Sequence, residues 1–197
     1  TNAAAAFALQ GFKTAYCGAI GDDAAGREII SELKDMKVDV GMVFVKKEKR
    51  TNCSVIIFNE GNDRTILAYR GASELLAEQD IPWQKLKAKW IYLAPLTGIL
   101  CDQTEKIVNF AFENKIKIAM NPSKQQLSLP ESQLKNILQK TNILFLNREE
   151  ASFLTKIDFE NETEIFKKID ELCHGIAVMT KGGDGVVAAD GKYIYSA

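Results

Sequence analysis

A single histidine, His174, stands in the 197 residues, so a Ser-His-Asp triad has one candidate base, placed between a helical segment and an apolar strand where capping or packing suits it better. Excess charge is equally scarce. Twenty-five Lys and Arg against 26 Asp and Glu leave a net charge of -1, which offers no electrostatic footprint for nucleic acid or an anionic membrane surface. The four cysteines, Cys17, Cys53, Cys101 and Cys173, form no Cys-x-x-Cys pair, which argues against a zinc site or a compact disulfide framework and for free thiols in a reducing compartment. No apolar run approaches the ~20 residues of a membrane span, and the start shows no charged-then-apolar leader. Trp83, Trp90 and the scattered phenylalanines form no spaced platform for stacking bases. Small-molecule partners and a cytoplasmic location are the expectation. Thr1 in place of an initiator Met leads us to expect residues before it.

What the chain does have is 46% hydrophobic residues, enough for one substantial core, arranged in alternating strand and helix periods. Helices are predicted near 2–10, 24–37, 102–114, 131–140, 148–155 and 162–173. Strands are predicted near 14–20, 89–94, 116–120, 142–146 and 175–180, with two closing strands near 185–189 and 192–196. Strands separated by helical segments predict βαβ units and a mainly parallel sheet, so the fold class is α/β. The block 38–71 departs from this pattern, with three β-rich runs near 40–46, 52–59 and 64–70 and no helix. Lys46–Arg50 and Asn59–Asp63 look like hairpin connections, with Gly61 supplying the second turn. A meander inserted there could fold over a cleft.

Three segments carry candidate chemistry. Asn2-Ala-Ala-Ala-Ala-Phe-Ala-Leu-Gln-Gly11 reads as a tightly packed small-residue helix with a glycine stop; a strand then runs to Gly21, and Asp22-Asp23 can cap the next helix ahead of Gly26. Strand 142–146 leads into Asn147-Arg148-Glu149-Glu150, which places Asn147 and Glu150 around the first turn of a helix at the carboxyl end of a parallel strand. Ligands of open α/β sheets bind there, yet an Asn cap followed by acids is also ordinary helix chemistry. Strand 175–180 ends in Thr180-Lys181-Gly182-Gly183-Asp184-Gly185, and a second strand follows at once. The Gly-x-x-x-x-Gly-Lys spacing and following helix of a Walker loop are missing. Such a turn can bring backbone N–H groups and the Thr180 hydroxyl to phosphate oxygens, or it can be a tight hairpin that needs glycine for positive φ. Asn121-Pro122-Ser123 reads as a turn at the sheet's carboxyl edge.

In this order and spacing, the segments resemble the ribokinase-like (PfkB) carbohydrate kinases. Asn2, Ala4, Gly11 and Gly21 fill the family's opening pattern, whose paired glycines would precede Thr1. Asn147 and Glu150 match its Asn-x-x-Glu, which orients nucleotide phosphates and bound Mg²⁺, and Thr180, Gly182 and Gly185 match its Thr-x-Gly-x-x-Gly nucleotide turn. The resemblance implies a three-layer αβα fold, with a core over 1–37 and 72–197 and a small β-sheet lid over 38–71 that could pair two chains as a homodimer. It implies ATP and Mg²⁺, with a monovalent cation as a further candidate. Phosphate contacts are expected from Asn147, Thr180, Lys181, Gly182, Gly183, Asp184 and Gly185, metal contact from Glu150, and substrate contacts from Asn2, Gly71 and Leu96. Leu96 stands where ribose-binding members carry Glu, which points towards other sugars, sugar acids or nucleosides.

The family's Gly-Ala-Gly-Asp segment, with its anion hole and general base, would follow Ala197. No catalytic residue is therefore expected within 1–197, and this stretch by itself is expected to be inactive. The implied function is ATP-dependent phosphorylation of a hydroxymethyl group on a sugar or sugar-like molecule. A nucleoside kinase and a non-catalytic sugar- or nucleotide-binding protein on the same scaffold are the alternatives.

Overall fold

The computed structural model describes residues 1–58 and 64–197. They form two compact units, Thr1–Trp83 with Gly98–Leu100, and Gln84–Thr97 with Cys101–Ala197.

The first unit begins with α1 (Asn2–Leu9), none of whose residues is buried, contrary to the tight packing expected of it. Alanine has the highest intrinsic helix propensity, so this helix forms without a buried face. Next, β1 (Ala15–Gly21), α2 (Ala24–Asp35) and β2 (Asp39–Lys46) make a βαβ unit in which β1 and β2 pair in parallel. Helix α2 starts where the Asp23 side chain accepts a hydrogen bond from the Gly26 N–H at 2.8 Å, and the chain leaves it through Lys37 at φ 62°. Lys115 and Lys156, at the ends of two later helices, adopt the same left-handed conformation that glycine more often supplies.

The hairpin of β3 (Cys53–Phe58) and β4 (Arg64–Tyr69) is a separate antiparallel sheet, and all its residues are exposed. The reading of Lys46–Arg50 as a hairpin connection is corrected here. The partner of β2 is β1 and that of β3 is β4, so 46–50 links two sheets. An alternating strand pattern does not name its partner, and the α2 crossover supplied β2 with a parallel one. The other predicted turn, Asn59–Asp63 with Gly61, lies outside the described residues.

A polar knot sits where this hairpin leaves the βαβ unit. Asp23 Oδ1 accepts from the Thr51 hydroxyl at 2.6 Å and Oδ2 from the Thr51 N–H at 2.8 Å, while Thr51 Oγ1 accepts from the Gly21 N–H at 2.9 Å. The hydroxyl, with the Thr51 and Gly26 N–H groups, holds the Asp23 carboxyl down at about 2. On the return side, Gly71 has φ +50°, and a Cβ there would run into the Arg50 carbonyl. That carbonyl accepts from the Ala72 N–H at 2.8 Å, so the chain leaving β4 lies directly against the chain approaching β3.

The second unit holds a six-stranded sheet in the order β10-β9-β8-β7-β6-β5. Strands β5 (Trp90–Leu93), β6 (Lys117–Met120), β7 (Ile143–Asn147) and β8 (Ile176–Thr180) are parallel, and β9 (Val186–Ala189) and β10 (Ile194–Ser196) close it antiparallel. Sequential parallel order with right-handed crossovers puts the intervening helices on one face. In agreement, α3 (Thr104–Glu113) packs on α5 (Glu131–Gln139), and α5 on α7 (Glu162–Leu172). Alternate strand residues Leu144, Leu146, Ala177, Met179, Val187 and Ala189 meet Ile165, Phe166 and Ile169 of α7 in the core. Each large side chain buried there contributes roughly 1.5–3 kcal/mol. Two short helices complete the unit, α4 (Lys124–Leu127) and α6 (Arg148–Thr155).

Candidate functional site

The parallel register places Asn147 and Thr180 opposite each other at the carboxyl ends of β7 and β8. Asn147 is extended, with φ -88° and ψ 174°, and caps α6: its side-chain oxygen accepts from the Glu150 N–H at 2.8 Å, and Glu150 Oε2 accepts from the Asn147 N–H at 2.9 Å. This is a reciprocal capping box, so the helix explains the pair structurally. Asn147 and Thr180 are nevertheless exposed and Glu150 half-buried, which leaves all three bordering solvent at the sheet edge.

Beyond Thr180, the turn closes with the Lys181 N–H on the Gly185 carbonyl at 2.8 Å, and the Asp184 and Gly185 N–H groups on the carbonyls of Lys181 and Gly182. Those bonds use the N–H groups of Lys181, Asp184 and Gly185, and not those of Gly182 and Gly183. Gly182 has φ +62°, and a Cβ at either Gly182 or Gly183 would meet nothing within 4 Å. The turn therefore offers two backbone donors to an approaching anion.

The charges around it are committed to each other. Lys181 Nζ lies 2.9 and 3.3 Å from the two Glu162 carboxylate oxygens, and Arg148 Nη1 lies 2.9 Å from Asp184 Oδ2. Of the expected phosphate contacts, Lys181 and Asp184 thus face Glu162 and Arg148, and they tie the turn to α7 and α6. Arg148 Nε is buried with no partner among the described residues. Sequence reasoning missed both new members. Arg148 adjoins Asn147 and could have been found as a cation in the same helical turn, whereas Glu162, 19 residues from Lys181, gave no signal.

Leu96, half-buried, sits in the segment after β5, where its N–H and carbonyl are held by the Gln126 and Ser123 side chains. The Asn121 amide in turn donates to the Phe145 carbonyl of β7 at 3.1 Å. Asn2, exposed in α1, and Gly71 belong to the first unit, and the remaining candidates to the second. Among the described residues no group of three or more His, Cys, Asp or Glu is placed to hold a metal ion, and no helix is long and apolar enough to cross a membrane. Glu150, the residue expected to contact a metal, belongs to no such group.

Comparison with known proteins agrees with the α/β fold. A fructokinase of Salmonella typhimurium is 24% identical over 211 residues, covering 95% of this chain and 64% of that enzyme, so the chain spans less than two thirds of its relative. Among solved structures, an Arabidopsis thaliana ribokinase complexed with ribose and ATP superposes with a TM-score of 0.80 at 20% identity, covering all of this chain and 64% of that one. An adenosine kinase from Sinorhizobium meliloti gives 0.81 at 21% identity, over 100% and 61% of the two chains. These structures share the ribokinase-like fold. The sequence profile of the pfkB family carbohydrate kinases matches residues 1–197, and the chain belongs to that family.

Proposed function

We propose that the protein carrying this chain transfers the γ-phosphoryl group of ATP to a hydroxymethyl group of a sugar or sugar-like molecule. The observation that supports this best is the pairing of Asn147 with Thr180 at the ends of two neighbouring parallel strands, beside a turn with two uncommitted glycine N–H groups. Phosphoryl transfer is catalysed by positioning and by neutralising charge. In this reading the Gly182 and Gly183 N–H groups and the Thr180 hydroxyl donate to phosphate oxygens. The Asn147 amide orients the same group, and Lys181, Asp184 and Gly185 hold the turn's shape. Glu150 would hold Mg²⁺ through water, an ion that supplies charge neutralisation at the β- and γ-phosphates.

In this reading Asn2, Gly71 and Leu96 are each candidates for sugar contact, and the β3–β4 hairpin serves as a lid that can also pair two chains. The setting is cytoplasmic.

The test is ADP release by the full-length protein with D-fructose, D-ribose and adenosine, beside its Glu150→Gln variant. We expect turnover with a sugar, and in the variant a loss of about 10–100-fold with a raised Mg²⁺ requirement and an almost unchanged Tm. An unchanged rate with a lowered Tm would reduce Asn147 and Glu150 to helix capping. Turnover confined to adenosine would favour the nucleoside kinase, and sugar binding without turnover the non-catalytic protein. Comparable turnover by residues 1–197 alone would show that the catalytic residues lie within this stretch.

A further inference from the structure

Gln126 is fully buried, at 0% exposure, and its side chain meets three separate pieces of chain. Its Oε1 accepts from the Ser123 N–H at 2.8 Å, which makes the capping box of α4, and also from the Leu96 N–H at 2.9 Å. Its Nε2 donates to Thr104 Oγ1 at 3.1 Å, and that equally buried hydroxyl donates to the Cys101 carbonyl at 2.6 Å. A parallel link runs through Ser123, whose hydroxyl donates to the Leu96 carbonyl at 2.5 Å and accepts from the Gln126 N–H at 3.1 Å.

A capping box ordinarily completes itself with two reciprocal bonds. Here the same carboxamide oxygen takes a second N–H from a loop 30 residues away, and Leu96 has both its N–H and its carbonyl tied to the β6–α4 turn. The helix start needs neither the Leu96 contact nor the Thr104 contact. A buried amide that does so much beyond its local role fixes the path of the segment after β5, because releasing it would leave N–H groups inside the protein without acceptors.

We infer that Gln126 is the positioning residue for the Leu96 segment, setting how Leu96 is presented to the acceptor substrate. This rests on the proposed reading only in taking that segment to face the sugar. Gln126 makes no hydrogen bond to the phosphate turn, so its main effect is expected on the acceptor side.

The experiment uses full-length Gln126→Leu and Gln126→Glu proteins. Hydrogen exchange at the Leu96 and Ser123 amides is read together with calorimetric Kd values for D-fructose, D-ribose and ATP. In Gln126→Leu both amides should lose protection, and the Kd of whichever sugar binds should rise about tenfold with that of ATP changed less than about twofold. Gln126→Glu keeps an acceptor for both N–H groups and should restore protection at Leu96. Unchanged Leu96 exchange in the leucine variant would overturn the inference, and so would equal weakening of sugar and ATP. Failure of both sugars to bind the unaltered protein would instead sink the proposed function, while exchange at Leu96 still decides whether Gln126 holds the segment.

Discussion

Two helix starts in this molecule use the same local chemistry to different ends. At α2, Asp23 caps the first turn but also receives the Thr51 N–H and hydroxyl, so both carboxylate oxygens are occupied by the protein. At α6, Asn147 and Glu150 satisfy only each other's backbone N–H groups, at the exposed end of a parallel strand. The difference lies in whether the polar side chain remains available for a ligand. A cap enclosed by a second loop is architecture, whereas a cap facing solvent at the carboxyl edge of the sheet keeps donors and oxygens to offer.

The largest effect of a single substitution is expected at the enclosed cap. Thr51 is 5% exposed, and Thr51→Val keeps its shape while leaving the Gly21 N–H without its acceptor. We expect a loss of about 1–3 kcal/mol, measured by denaturant unfolding of the full-length protein. A loss below about 0.5 kcal/mol would show that the knot is ornamental.

The same knot predicts a pH dependence. Asp23 is held at about 2, below the ordinary aspartate value of ~3.9, so its ionised form stabilises the fold fully above ~3.9 and the contribution is lost as pH falls through about 2. The difference in Tm between the protein and Asp23→Asn should therefore be constant down to about pH 4 and shrink below it. A difference that stays constant down to the lowest accessible pH would contradict this.

Much of this was visible in the sequence, for reasons that are local. Short apolar runs at 143–146 and 176–179 between turn residues announced buried parallel strands, and Asp23 and Asn147 marked helix starts by residue type alone. Three helix exits were not marked, because Lys37, Lys115 and Lys156 occupy a conformation for which glycine is the usual signal. Nor could spacing show that Lys181 would face Glu162, or that Gln126 would reach Leu96. Those pairings arise only when the sheet order brings distant loops to one edge. The partner of β2 was misjudged for the same reason.

At the open cap the expected stability effect is smaller and the functional one larger. Asn147→Ala removes one side-chain cap bond and should cost about 1 kcal/mol. If the cap serves phosphate as well, ADP release in the full-length protein should fall by more than tenfold, beyond what that loss of folded protein explains. A fall in rate that merely tracks the folded fraction would make α6's cap the equivalent of α2's.

The smallest stability effect is expected at Gly183, and it separates the two readings of the glycine turn most cleanly. Its φ is not positive and a Cβ there meets no protein atom within 4 Å, so Gly183→Ala should change stability by less than about 0.5 kcal/mol. A plain hairpin would tolerate the methyl group without consequence. A turn whose Gly182 and Gly183 N–H groups approach phosphate oxygens would not, because the added carbon lies on the open side where the anion must come close. The KM for ATP should then rise about tenfold, equivalent to ~1.4 kcal/mol of binding, while the sugar KM stays within about twofold. Steady-state kinetics with each substrate varied in turn reads both numbers. An unchanged ATP KM would leave the glycines explained by the hairpin alone and remove the phosphate role from this turn.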